Sequence, residues 1–259
     1  MTDGENLALR MSERWRPPAF TPSTGRLGRL RAAVRRALDL QAESIWRDLR
    51  PLLAQATGTV VDVGCGAQPY RGLLPGGVRY IGLDTPSALT DFGYSMPDVL
   101  VIEDGRWPVD DGAAETVLAT ETVEHVFDTA AFLAEASRAL APGGRLVVTV
   151  PFAARWHYIP HDYWRFTPAS LRRLLEQAGF SAVVVHGRGN ELTVACYKVQ
   201  ALLLPLLMRE NAFGQTRPRP LGLVAAVPIA VLAAVGRMSL RAAAGDDCLG
   251  FTVTAVRER

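Results

Sequence analysis

From residue 59 onward, short β-branched runs alternate with helical stretches, and this alternation limits the fold more than any other feature of the chain. Thr59-Val60-Val61-Asp62-Val63 leads into a Gly-rich turn. Comparable runs follow at Val78–Leu83, Val99–Ile102, Thr116–Ala119, Leu146–Val150, Ala182–Val185 and Phe251–Val256. Helical spacing fills the gaps, most clearly at Thr129–Leu140 and Pro168–Ala178, the latter closing at Gly179 where a left-handed cap is expected. Strands separated by helices at this pitch predict an α/β protein whose mainly parallel sheet carries helices on both faces.

Upstream of the first strand, residues 1–25 form a leader rich in Pro and Thr. Leu27, Leu30, Val34, Leu38, Ile45, Trp46 and Leu49 then predict one helix over Leu27–Leu53, with Arg29, Arg31, Arg35 and Arg36 on its polar side. The expected division is a leader and helical cap over 1–57 and an α/β domain over 58–259, with an insertion at 190–241. Hydrophobic residues at 49% and charged residues at 21% exclude a disordered or fibrous chain. The net charge of +2 from 28 basic and 26 acidic residues argues against a nucleic-acid partner. That small net value hides a partition: +4 over residues 1–50, −6 over 51–185 and +5 over 186–241. Ordinary surface charge and two basic additions facing an anionic lipid surface are the competing explanations. Three scattered cysteines supply no disulfide framework or zinc spacing, and residues 1–18 hold no apolar core of signal-peptide length. A reducing, cytoplasmic setting is expected, with the inner face of the membrane as the place where the basic additions would act.

Open parallel sheets bind ligands beyond the carboxyl ends of their strands, at the point where strand order reverses. The first turn, Asp62-Val63-Gly64-Cys65-Gly66-Ala67-Gln68, lets the backbone approach a ligand at Gly64 and Gly66 without a Cβ in the way. Asp62 would repel a pyrophosphate but suits a cationic amino-acid group. Asp84 ends the second strand, where a carboxylate can accept both hydroxyls of a ribose. Glu103 and Asp104 end the third, where an acid can meet an adenine amino group.

Taken together, VVDVGCGAQPY, IGLD, VIEDGRWPVDDGAAETVLATETVEHV and APGGRLVVTVPF resemble the class I S-adenosylmethionine-dependent methyltransferases, in register over about residues 58–187. The resemblance implies a Rossmann-like, seven-stranded, mainly parallel sheet whose last strand is antiparallel, with S-adenosylmethionine as cofactor. By matching position, Asp62, Gly64 and Gly66 would hold the methionine part, Asp84 the ribose, and Glu103 with Asp104 the adenine. Glu121 completes the cofactor set at the end of strand four. Many members carry a third glycine where this chain has Gln68.

After strand four comes Glu121-Thr122-Val123-Glu124-His125. On a helix, Glu121, Glu124 and His125 would share one face. Such a group can bind a divalent cation, act on a proton through His125, or serve structure alone. The same pattern resembles ubiquinone-biosynthesis O-methyltransferases, where it goes with a magnesium-type ion. The loop from Pro151 to Pro168 places two His, two Tyr, two Trp and two Arg at the ligand-bearing edge. His157, His161 and Tyr163 are its candidate catalytic residues, alongside His125 from the preceding segment. Asp162 and Arg165 are read as a clasp that shapes the loop, and Thr167-Pro168 as an N-cap and first helical residue.

The last two strands are joined by a connection far longer than a hairpin turn. It carries Leu202-Leu203-Leu204-Pro205-Leu206-Leu207-Met208 and an uncharged stretch from Leu221 to Val235, each shorter than a membrane span and interrupted by Pro205 or Pro228. An apolar helical insertion that touches a membrane, and a soluble lid or homodimer surface, are the alternatives. The expected activity is methyl transfer to an oxygen of a small or lipid-linked acceptor. A nicotinamide-dependent oxidoreductase and a non-catalytic binding subunit are its rivals.

Overall fold

The computed structural model describes residues 25–91, 98–158, 160–210, 216–219, 222–243 and 245–258. The Pro- and Thr-rich leader lies outside them, and so does most of the polar stretch at 211–221. The elements run α1 (Gly25–Leu38), α2 (Leu40–Leu53), β1 (Thr59–Val63), β2 (Arg79–Asp84), α3 (Pro86–Asp91), β3 (Val99–Val101), β4 (Ala114–Thr120), α4 (Thr129–Ala139), β5 (Leu140–Pro151), α5 (Pro168–Gln177) and β6 (Phe180–Gly187). Then follow α6 (Glu191–Leu207), β7 (Met208–Glu210), β8 (Thr216–Pro218), α7 (Leu223–Ser239) and β9 (Gly250–Arg257).

Where one helix was expected over Leu27–Leu53 there are two, broken at Asp39. The Asp39 carboxylate accepts the amide of Ala42 at 3.1 Å, capping α2 and ending α1. Other helix ends follow the sequence signals. Asp128 caps α4, Thr167 and Ser170 form a capping box on α5 with Pro168 as its first residue, and Gly179 beyond α5 is left-handed at φ +81°. Pro205 and Pro228 do not interrupt the apolar runs. Each lies inside a helix of 17 residues, forfeiting a backbone bond without ending it.

The seven-stranded sheet has the order β3-β2-β1-β4-β5-β9-β6. β2 and β4 flank β1 in parallel, and β3 and β5 continue the parallel run on either side, while the closing strands are antiparallel. Chain order therefore reverses between β1 and β4, and their carboxyl ends form the switch point. β1 and β4 are buried on both faces (Val60, Val61, Val117 and Leu118 are almost wholly shielded), which is why they read as continuous apolar runs.

The chain divides into two compact units. A sheet unit contains Asp48–His186 and Phe251–Arg259, and a helical unit contains Ser23–Arg47 and Gly187–Gly250. The arginine-rich α1 and the insertion helices α6 and α7 thus fall in one body, although some 150 residues of chain separate them. Within it α1 and α6 both pack on α7. Gly236 of α7 lets Leu40 approach so closely that a Cβ would collide with it.

Candidate cofactor and acceptor site

At the end of β1 the chain turns over the end of β2. The amides of Gly64 and Cys65 both donate to the carbonyl of Leu83, at 2.8 and 3.1 Å. Gly64 holds φ +68°, and a Cβ there would collide with Thr122, the residue that follows β4 by two. Thr122 in turn donates to the carbonyls of Val63 and Thr120. A side chain at 64 would therefore push apart the two strand ends that define the switch point.

Gln68, where the resembled family pattern has a third glycine, keeps the left-handed backbone at φ 56°. Its buried amide offsets the strain, which is on the order of 1–3 kcal/mol for such a residue. Oε1 accepts from Arg71 at 2.8 Å and Nε2 donates to Asp98 at 3.1 Å. Arg71 also pairs with Asp98 at 2.6 Å. Neither Arg71 nor Asp98 was singled out in the sequence, because their partnership is visible only once the turn is folded.

Asp62 is 3% exposed, and its carboxylate accepts the phenolic hydroxyl of Tyr80 at 2.7 Å. Burial pushes its pKa up to about 7, against the lowering hydrogen bond from Tyr80 and with a further rise from the charge of Asp84. Tyr80 is held protonated by burial and by Asp62, so it remains a donor. Tyr80 is a site residue that sequence reasoning missed. The signal was present in the parallel register, which sets Val60 opposite Tyr80 and Asp62 opposite Gly82.

Asp84 accepts the amide of Gly66 at 2.9 Å and that of Thr85 at 2.9 Å. Burial raises its pKa, and these two amides pull it back. Glu103 and Asp104 lie exposed just past β3, with Asp104 left-handed at φ 50°. The strand end is tied to its neighbour by the amide of Ile102 donating to the carbonyl of Asp84 at 2.8 Å. Asp62, Gly64, Gly66, Asp84, Glu103 and Asp104 thus lie at the carboxyl ends of three adjacent parallel strands.

The Glu121–His125 segment is not the helix whose face those side chains would share. Val123–His125 form a single 3-10 turn, and Glu121 precedes it in a left-handed conformation at φ 49°. Glu124 is fully buried, and neither carboxyl oxygen has a hydrogen-bond partner. Desolvation, reinforced by Glu121, raises its pKa well above the usual range. Its main-chain carbonyl accepts the amides of Tyr163 and Trp164, at 2.9 and 3.2 Å, and so ties the aromatic loop to this turn.

His125 Nδ1 lies 2.9 Å from the carbonyl of His161, and His157 Nδ1 lies 2.9 Å from that of Arg155. A carbonyl can only accept, so both rings carry a proton on Nδ1, and Nε2 of His125 lies 3.6 Å from the Glu124 carboxyl. Burial, then the neighbouring His157, lowers the pKa of His125 to about 4. One ligating atom from each of Glu124, His125 and His157 lies within 4.8 Å of the others. Glu121, expected in that group, is not among the three.

Asp162 and Arg165 form the clasp: two hydrogen bonds at 2.6 and 2.9 Å join guanidinium and carboxylate, and Asp162 also accepts the amide of His157 at 2.9 Å. Burial alone would raise Asp162, but the Arg165 pair and His157 outweigh it and lower its pKa. His161 Nδ1 contacts the Tyr163 hydroxyl at 3.2 Å. Around these groups Phe127, Trp156, Tyr163 and Trp164 are exposed to solvent, with Phe127 and Tyr163 edge to face at 5.4 Å.

Residues 34–185 match the family model described as a methyltransferase domain. A probable S-adenosylmethionine-dependent methyltransferase of Mycolicibacterium smegmatis is 31% identical over 150 residues, which cover 50% of this chain and 56% of that protein. An uncharacterized 37.1 kDa protein in a Streptomyces fradiae transposon is 32% identical over 125 residues, covering 44% of this chain and 35% of its own length. The alignments with these curated relatives thus span about half of their length or less. The crystal structure of a SAM-dependent methyltransferase from Archaeoglobus fulgidus superposes with a TM-score of 0.52 at 17% identity, over 85% of this chain and 95% of that one, a likeness of fold. The chain belongs to the methyltransferase domain family, and its fold is that of the class I S-adenosylmethionine-dependent methyltransferases.

Proposed function

We propose that the chain transfers the methyl group of S-adenosylmethionine to a hydroxyl oxygen of a small or lipid-linked acceptor, with His157 taking the proton. The observation that carries this reading is the His157 imidazole, whose Nδ1 lies 2.9 Å from the carbonyl of Arg155 and 3.6 Å from the Asp162 carboxylate, with the His125 ring 5.0 Å away. In the step, the acceptor oxygen bonds the methyl carbon, the carbon–sulfur bond breaks, and the hydroxyl proton passes to His157 Nε2. The Asp162 carboxylate, 3.6 Å from His157 Nδ1, stabilises the resulting imidazolium. His125, kept neutral by burial, avoids a second positive charge at a ring distance of 5.0 Å. The exposed aromatic residues of the loop suit an acceptor with an apolar part.

A chromatographic assay with methyl-labelled cofactor against extracted lipids, glycans and quinols tests the reading, with an O-methyl product expected. His157→Asn should lower turnover by about 10²–10⁴-fold and leave S-adenosylhomocysteine affinity unchanged. An N-methyl product, or full turnover by His157→Asn, would overturn it.

The buried Glu124 carboxyl, without a hydrogen-bond partner and 3.6 Å from His125 Nε2, favours a second reading, in which Glu124, His125 and His157 hold a divalent cation. Each imidazole already donates its Nδ1–H to a backbone carbonyl, as metal-ligating histidines do. Two imidazoles with one carboxylate suit zinc, manganese or iron better than magnesium, which prefers oxygen. When bound, such an ion polarises an acceptor oxygen, while Glu124 stays ionised and the aromatic loop holds His157 in place. Calorimetry with zinc and magnesium separates the readings. Tight zinc binding lost in Glu124→Gln supports the ion, and its absence leaves the histidine base.

A further inference from the structure

The helices of the helical unit turn the usual polarity of a water-soluble helix around. On α7, Val224, Val227, Val231, Val235 and Met238 recur at helical spacing along one side and are all exposed, Val224 at 81% and Met238 at 71%. The opposite side, buried in the unit, carries Ala225, Ile229, Ala233 and Gly236, together with the hydroxyl of Ser239. On α6, Leu192, Val199, Leu202 and Leu206 are likewise exposed on one side, while Thr193, Val194, Cys196 and Gln200 are buried. The polar groups bond to one another inside. Thr193 Oγ1 meets Ser239 Oγ at 2.5 Å, and Gln200 Nε2 donates to the carbonyls of Leu38 and Ile229 at 3.2 and 3.1 Å. Asn190 donates to the carbonyls of Ser239 and Ala243 at 3.3 Å. On α1 a third apolar stripe, Leu30, Val34 and Leu38, is exposed at four-residue spacing, beside exposed Arg26, Arg29 and Arg31.

Small residues and hydrogen-bonded polar groups inside, with branched apolar residues outside, is the arrangement helices adopt against lipid. The charge agrees. The helical unit holds thirteen basic against six acidic residues, a net +7, and the α1 sequence GRLGRLRAAVRRAL contains no acid. A second copy of the chain would set +7 against +7, whereas an anionic leaflet attracts each basic side chain near its surface. Among the described residues no helix is long and apolar enough to cross a membrane. Helices of 17 residues are about 25 Å long, short of the roughly 30 Å hydrocarbon thickness.

We propose that the helical unit docks the protein on an anionic lipid bilayer, the α6 and α7 side chains entering the acyl boundary and the α1 arginines meeting the headgroups. The docking is independent of which atom of the acceptor is methylated, so its failure leaves the reading of the catalytic site standing.

Flotation of the full chain with vesicles of phosphatidylcholine alone, and with a third phosphatidylglycerol, tests it. The protein should float with the anionic vesicles, and higher salt should release part of it. Val224→Ser, Val227→Ser and Val231→Ser combined should lower the partition coefficient at least tenfold. Arg29→Gln and Arg31→Gln should each lower it about fivefold. Unchanged circular dichroism and S-adenosylhomocysteine affinity identify these variants as folded. Failure to float, or flotation indifferent to all five substitutions, would overturn the proposal. So would a lipid-free dimer in sedimentation equilibrium that the valine substitutions dissociate.

Discussion

In the sheet unit water is kept from Val60, Val61, Leu118 and their neighbours, and charge gathers where the strands end. In the helical unit water is kept from Thr193, Gln200 and Ser239, while valines and leucines line the outside. The first unit carries twelve basic and seventeen acidic residues over Asp48–His186 and Phe251–Arg259, and the second is net positive by seven. Buried polar groups also serve different ends. Asp62 and Glu124 are held away from water with raised pKa values, Glu124 with no hydrogen-bond partner for its carboxyl oxygens. Asn190, Thr193, Gln200 and Ser239 have their hydrogen bonds made inside the unit, the arrangement the proposed docking on lipid requires.

That contrast breaks most readily at Asp84. Asp84→Asn removes the charge that accepts the Gly66 amide and that the family resemblance assigns to the ribose, and should weaken S-adenosylhomocysteine binding about 10–100-fold by titration calorimetry. An unchanged affinity would remove the ribose assignment. Asp62 gives a pH test. Its carboxyl titrates near 7 when folded against an ordinary value of 3.8, so its stabilising contribution is full at low pH and lost as pH rises through 7. If Asp62 holds the cofactor's ammonium, as the resemblance implies, binding needs the ionised form and affinity has the opposite slope. Binding should tighten by up to about tenfold per unit as pH rises towards 7 and then level off. Asp62→Asn should flatten that profile, and a profile that stays steep would point to another group.

In the helical unit, Thr193→Val should lower stability by roughly 1–2 kcal/mol in denaturant titration, because Ser239 and Asn190 lose a buried partner. Val227→Ser, on the outside of α7, should change stability by less than about 0.5 kcal/mol. A larger loss from Val227→Ser than from Thr193→Val would mean that α7 follows the ordinary polarity of soluble helices.

Much of the sheet unit was legible in the sequence because its signals are local. A β-branched run followed by Gly64 and Gly66 is a strand and a tight turn wherever it occurs. Asp128, Thr167 and Gly179 mark helix ends through bonds to residues a few places away. The break at Asp39 was legible in principle, since Asp is a good cap, but the apolar spacing on both sides masked it. Tyr80 was missed because its value lies in pairing with Asp62 on the neighbouring strand.

The sequence by itself determined the alternation of strands and helices, the glycine turn, and the acids at the ends of β1, β2 and β3. Only the tertiary structure decided that His157 joins Glu124 and His125 where Glu121 had been expected. Hydrogen bonds from His125 to His161, and from Tyr163 and Trp164 to Glu124, bring a loop more than thirty residues away onto the 3-10 turn. Only the structure also put α1 in one unit with α6 and α7 and buried Thr193, Gln200 and Ser239 between helices. Local spacing records which residues share a helix face. Which face is buried depends on partners that the chain supplies from a distance.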